Sequence, residues 1–327
     1  MNFLIDGQEK LFSELEQTIR EGNALAFVGS GISMQVDYPS WIELTEQLAN
    51  AAGMTLAPED RDADGTRLTE IIQECKDRLG EAQYYTELRR VFDPNVRAPL
   101  SMLHVQILEM PFVSFPTTNV DNCHVLAKDS VRQRNIAGEW DLFPVFVLDR
   151  LRQRRIFYLH GKIENDERIR SVVLSKSEYQ SAYDNNGPTR EFLHYVVRRF
   201  DCVFIGYSMN DVFMAKVIQE AGELERIENK ELERQGRPSQ TRKHYAILPR
   251  HATPDGKLYI PKGRGRSLKP EEIDRLELQR IEREELLKRL RITPLYYRVV
   301  NDNHTTLNHL VYQLNRQLVT EKDQVPA

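Results

Sequence analysis

The sequence predicts an α/β protein with a doubly wound, mostly parallel sheet and a helical insertion. Three observations lead there. Short, wholly apolar runs such as Ala24–Val28 read as strands covered on both faces. Those runs alternate with segments of helical periodicity, the pattern of βαβ units. Several runs end directly in glycine, histidine or a Thr/Asn/Asp cluster, where an open α/β sheet binds its ligands.

Residues 8–22 read as a helix, with Leu11, Phe12, Leu15 and Ile19 on one face and Gly22-Asn23 as the stop. Ala24–Val28 is the first strand, followed by Gly29-Ser30-Gly31-Ile32-Ser33 and a helix from about Ser40. Residues 54–110 are polar with helical periodicity, Ile71, Ile72, Cys75 and Leu79 forming one stripe, and are expected to be a helical insertion. Strands are expected at 112–115, 156–159, 172–174, 201–205, 244–248 and 295–300. Helices are expected from Asp121, over 188–200 and 210–222, from Pro270 to about Leu290, and over 304–318. Residues 223–243, charged and containing Gly236 and Pro238, and residues 262–270, with Lys-Gly-Arg-Gly-Arg, read as surface excursions. The expected organisation is one domain over 1–320, its core formed by about 20–53 and 111–318, with a frayed tail at 321–327.

The 327 residues are 40% apolar and 29% charged, enough to bury a full core without staples. Forty-five basic against 49 acidic residues give a net charge of −4, without the basic footprint of a nucleic-acid or anionic-membrane binder. No apolar run approaches the roughly 18 residues of a membrane span. Asp6 and Glu9 interrupt the start of the chain where a signal peptide would be apolar, so a cytoplasmic location is expected. Three cysteines, Cys75, Cys123 and Cys202, none spaced C-x-x-C, encode neither a disulfide framework nor a zinc knuckle.

Four strand ends carry candidate chemistry. Gly29-Ser30-Gly31 fits either an ordinary tight turn or a loop whose backbone approaches a pyrophosphate; Met34 breaks the full glycine fingerprint. In Thr117-Thr118-Asn119-Val120-Asp121, Asp121 serves as a helix cap or as a ligand contact, and Asn119 offers an amide to a ligand. His160, before Gly161, stands where a general base would work, or caps the strand. Gly206-Tyr207-Ser208 closes the fourth strand.

In order and spacing these four motifs resemble the sirtuin-like, NAD-consuming proteins, over about residues 20–318. Pro39-Ser40-Trp41, Ser171-Val172-Val173-Leu174 before Glu178-Tyr179 and Tyr183, and Asp302-Asn303-His304 with Leu307 and Leu310 look like the prokaryotic anti-phage branch. The four zinc-holding cysteines of the deacetylases are missing, and Val36-Asp37-Tyr38-Pro39 replaces their segment after the glycine loop. The resemblance implies a Rossmann-like, NAD-binding fold without a zinc module or metal, and NAD as substrate. It implies that Gly29, Ser30 and Gly31, with Ser33 and Thr118, contact the cofactor. Gly206, Ser208 and Asp211 would touch its adenosine half, and Asn119 and Asp121 would face the nicotinamide ribose. His160 would hydrogen-bond ribose hydroxyls and serve as general base, with a pKa near neutral. The activity implied is NAD hydrolysis to nicotinamide and ADP-ribose in anti-phage defence, controlled by homo-oligomer formation or a separate protein such as a partner ATPase. Protein deacylation or ADP-ribosyl transfer, and a non-catalytic NAD-binding scaffold, are the rival readings.

Two further features stay local. Arg150, Arg152, Arg154 and Arg155 read as a solvated basic face before a buried strand, more readily than as a nucleic-acid or partner contact. Cys123 reads as a small core residue.

Overall fold

The computed structural model describes residues 4–5, 7–62, 65–93, 95, 100–131, 140–163, 172–209, 211–239, 241–251, 270–299 and 304–320. Ser171, the 262–266 basic segment, Asp302, Asn303 and the 321–327 tail lie outside the described residues. In chain order the elements are α1 (Glu9–Arg20), β1 (Ala24–Val28), α2 (Ser30–Ser33), α3 (Trp41–Ala51), α4 (Gly65–Leu79), α5 (Glu81–Val91), α6 (Met102–Glu109), β2 (Phe115–Thr117), α7 (Cys123–Lys128) and β3 (Trp140–Leu142). Then follow β4 (Ile156–Tyr158), α8 (Lys176–Tyr183), α9 (Pro188–Arg199), β5 (Asp201–Ile205), α10 (Val212–Arg234), β6 (His244–His251), α11 (Pro270–Arg289), β7 (Ile292–Val299) and α12 (Thr305–Thr320).

The seven strands form one sheet in the order β3-β4-β2-β1-β5-β6-β7, every neighbouring pair parallel. The chain starts at the centre with β1, builds outward to one side through β2, β3 and β4, then crosses β1 to lay down β5, β6 and β7. The direction of building reverses between β1 and β5. At such a switch point the loops leaving adjacent strands diverge and open a crevice at their carboxyl ends.

Alternate residues of each strand feed opposite faces. Ala24, Ala26, Val28, Val203 and Ile205 pack under α1, α6 and α12. Leu25, Phe27, Cys202 and Phe204 pack under α9, α10 and α11. With both faces covered, no polar alternation survives in the sequence. A third cluster joins α3, α4 and α5, through Leu48, Ile72, Cys75 and Leu88, to Val120 and Ile163 beyond β2 and β4. It therefore stands over the carboxyl edge of the sheet. The Lys76–Glu178 ion pair, 2.6 Å, ties α4 to α8 at its margin.

Several elements differ from the sequence expectation. The second strand begins at Phe115, not 112, and runs to Thr117, although Val113 N–H already bonds Ala24 O. Pro116 obscured it, because proline is rare inside a central strand. Val172–Leu174 forms no strand; Val173 N–H makes one ladder-like bond, to His160 O. The edge strand β3 and helix α8 were not anticipated. α10 passes through Gly222 to Arg234, so the expected excursion is helical over its first half. Its buried face includes Glu225 and Asn229, so hydrophobic periodicity cannot reveal it. Among the described residues no helix is long and apolar enough to cross a membrane.

The expected solvated face holds for only part of the arginine run: Arg152 is exposed and Arg150 half-exposed, whereas Arg154 and Arg155 turn inward. Arg154, with φ +53°, donates to the carbonyls of Leu108, Met110 and Phe112 at the end of α6. Arg155 is buried against Asp141 at 2.7 Å, Arg150 reaches the same carboxylate, and Arg152 bonds Asn23.

Candidate functional site

A cavity of about 470 Å³ opens at the switch point. Ser30, Gly31 and Ser33 after β1, Thr118, Asn119 and Asp121 after β2, His160 after β4 and Gly206, Ser208 and Asp211 after β5 all line it. Four segments far apart in sequence thus meet because their strands are neighbours in the central four.

Asn119 and His160 are placed by strand register. Thr117 pairs with Tyr158 across β2 and β4, and each functional residue lies two positions beyond its partner in that pair. Both side chains are buried, at 6% and 2% exposure, and face one cavity. Thr117 fixes the level: its hydroxyl donates to Val28 O at 2.7 Å and accepts from Asn119 N–H at 3.0 Å.

Asn119 is oriented by Ser33. Its Nδ2 donates to Ser33 Oγ at 2.9 Å, and the Ser33 hydroxyl is bonded in turn to Asp121. The amide, hydroxyl and carboxylate form a relay, and among the described residues the Asn119 carbonyl oxygen has no hydrogen-bond partner. Asp121 also accepts from Cys123 N–H at 2.8 Å, the first amide of α7, while it lines the cavity. Burial pushes its carboxyl above the usual range, although Ser33 and the Cys123 N–H oppose that. Cys123 beside it is buried, and burial and Asp121 raise its thiol, which leaves it inert.

His160 departs from the expected near-neutral base. Burial pushes its imidazole down to about 3, so the ring is neutral at physiological pH. Nε2 is 2.8 Å from the Tyr183 hydroxyl, and the ring lies edge-on to Tyr179 and Tyr183, with centroids at 5.0 and 5.8 Å. Tyr179 and Tyr183 stack at 5.6 Å and both contact Phe213; Trp41 meets Tyr179 edge-on. Trp41, Tyr179 and Phe213 line the cavity, with Tyr183 packed against Tyr179 and Phe213, and the sequence analysis gave them no role. The signal was present: Tyr179 and Tyr183, four apart, share one face of α8.

The glycines serve mainly to bring two turns together. Gly29 N–H donates to Ile205 O and Gly31 N–H to Gly206 O, both at 2.9 Å. Those two groups are therefore not the pyrophosphate donors that the motif suggested. A Cβ on Gly29 would lie 2.5 Å from Gly206 O. Exposed Ser30 and Ser208 remain on the wall beside them.

Asp211 caps α10, accepting from Met214 N–H at 3.0 Å, and bonds the hydroxyls of Tyr207 and Tyr179. Thr118 in turn bonds Tyr207. Both residues border the cavity, but their polar atoms brace its wall.

A parallel doubly wound sheet with a cavity at its switch point defines a Rossmann-like protein. More particularly, residues 114–262 match the family described as SIR2-like domain. Over 201 residues, 61% of this chain, it is 27% identical to defense-associated sirtuin 2 of Bacillus subtilis, covering 19% of that protein. It is 23% identical to NAD(+) hydrolase ThsA of Enterococcus faecium over 64% of this chain and 42% of that protein. The same identity holds to NAD(+) hydrolase ThsA of Bacillus cereus (strain MSX-D12), over 62% of this chain and 40% of the relative. The matches span less than half the length of these relatives.

Proposed function

We propose that the chain hydrolyses NAD to nicotinamide and ADP-ribose, and that it depletes NAD in anti-phage defence. The observation that carries this reading is the convergence of Asn119 and His160 on one switch-point cavity, at matched positions beyond paired strands. The names of the relatives, a defence-associated sirtuin and NAD(+) hydrolases, support it.

Cleavage of the nicotinamide–ribose bond develops oxocarbenium character at the ribose. The leaving group is already a cationic pyridinium, so the site needs no strong acid. It has to orient a water and hold the sugar. The Asn119 carbonyl, aimed by Ser33, positions the water. Asp121 lies beside it as the nearby negative charge when ionised. Neutral His160 hydrogen-bonds the ribose. Ser30, Ser33, Thr118, Ser208 and the turns at Gly29, Gly31 and Gly206 shape the remainder of the dinucleotide site, with Asp211 bracing the wall. Homo-oligomer formation or a separate defence protein would control the activity.

Incubation of purified protein with NAD alone tests the reaction, since hydrolysis requires no acceptor protein. Nicotinamide and ADP-ribose should appear in equal amounts. Asn119→Ala and His160→Ala should each lower turnover by about 100-fold or more while the circular dichroism spectrum is retained. Undiminished turnover in both variants would falsify the assignment.

A further inference from the structure

The hydrogen-bond partners around His160 decide which of its nitrogens carries the proton. Nε2 faces the Tyr183 hydroxyl at 2.8 Å. In the neutral ring, either Nε2–H donates to the phenol oxygen, or the phenol O–H donates to Nε2 and the imidazole proton sits on Nδ1.

The two arrangements are not equivalent here. Tyr183 is buried, and among the described residues His160 Nε2 is its hydroxyl's hydrogen-bond partner. Were Nε2 the donor, the phenol proton would need another acceptor. The nearby Asp211 carboxylate is already engaged by Tyr207, Tyr179 and the N–H groups of Met214 and Phe213. A buried hydroxyl proton without an acceptor costs free energy, so the phenol proton points at Nε2. Nδ1 then bears the ring hydrogen. Nδ1 has no hydrogen-bond partner among the described residues, and His160 lines the cavity.

We propose that Tyr183 holds His160 in the Nδ1-protonated tautomer, so that the imidazole meets the bound nucleotide as a hydrogen-bond donor to a sugar oxygen, not as a proton acceptor. Tyr183 is thus a positioning residue. The ligand class follows from the Proposed function: a ribose hydroxyl oxygen of NAD is the acceptor. The deeply neutral character of His160 agrees, because a ring held as donor has no need to gain a second proton.

The test uses the full chain labelled with 15N-histidine, with His160 among the eight histidines assigned from the His160→Gln spectrum. At pH 7 the long-range proton–nitrogen pattern of His160 should show Nδ1 protonated. Tyr183→Phe keeps the ring stacked on Tyr179 and removes the hydroxyl alone. It should shift His160 toward the Nε2-protonated form and lower kcat for nicotinamide release by about tenfold, with KM for NAD changed less than about threefold. A wild-type spectrum with Nε2 protonated, or with a doubly protonated ring, overturns the proposal. So does a Tyr183→Phe spectrum unchanged from wild type. If Tyr183→Phe fails to fold, the wild-type spectrum alone decides the tautomer. A wild-type protein that shows the Nδ1-protonated ring but releases no nicotinamide supports the tautomer and refutes the proposed hydrolysis.

Discussion

At the scale of single residues, two contacts organise the site: the Asn119 amide on Ser33, and the approach of Gly206 to the turn after β1. Gly206 has φ +66°, and a Cβ there would lie 2.6 Å from Ile32 Cγ1 and 2.8 Å from the Ile32 backbone nitrogen. Left-handed backbone and a steric clash therefore coincide. Gly206→Ala should destabilise the protein by about 2 kcal/mol or more in urea denaturation. A loss below about 0.5 kcal/mol would mean that the β1 and β5 turns separate easily. The sequence marked both glycine turns but suggested a phosphate loop. That their N–H groups serve each other depends on β1 and β5 being neighbours, which no local pattern states.

Among elements, the helix N-termini around the cavity are fixed by side chains legible in the sequence. Ser40 and Glu43 form a reciprocal capping box at α3, with Ser40 N–H to Glu43 at 2.8 Å and Glu43 N–H to Ser40 at 3.3 Å. Asp211 does more at α10, because it also satisfies the Tyr207 and Tyr179 hydroxyls. Asp211→Ala removes a cap worth about 1 kcal/mol and leaves two phenols without their acceptor, each at about 1–3 kcal/mol. A total loss of about 3 kcal/mol is expected in chemical denaturation, with Asp211→Asn milder because one acceptor oxygen remains. Equal losses for both variants would show that the tyrosines do not depend on that oxygen. Where the local signature was weak, elements were misplaced, cut short or missed. Pro116 disguised β2, β3 is three residues long, and α10 buries Glu225 and Asn229.

For the whole molecule, burial sets the response to pH. Burial lowers His124 and His160 to about 3 and His244 to about 4, and it lowers His104 strongly. His104 and His124 meet edge-on at 4.6 Å on α6 and α7, and neither ring has a hydrogen-bond partner among the described residues. The unfolded chain binds protons at these groups from about pH 6.5 downward, and the folded chain does so only near pH 3–4. Their stabilisation is complete above the unfolded pKa and is lost as the pH falls from about 6.5 toward 3. The raised carboxyls of Asp121, Asp201 and Asp211 act oppositely and offset part of that loss at the acid end. His124→Leu should reduce the slope of stability against pH between about 6 and 4 by one proton, about 1.4 kcal/mol per pH unit. A slope equal to wild type would show that His124 is protonated in the fold as readily as in the unfolded chain.

The sequence by itself determined the α/β class, the central strands, and the four strand ends on which Asn119, His160, Gly29 and Gly206 stand, because apolar runs and the polar residues that stop them are local patterns. Only the tertiary structure decided what those residues do there. It made His160 neutral, committed two glycine amides to the neighbouring turn, drew Arg154 and Arg155 inward, lined the cavity with Tyr179 and set Tyr183 against His160. A side chain's charge and free hydrogen bonds depend on its burial and its partners, and those partners arrive from strands and helices far away along the chain.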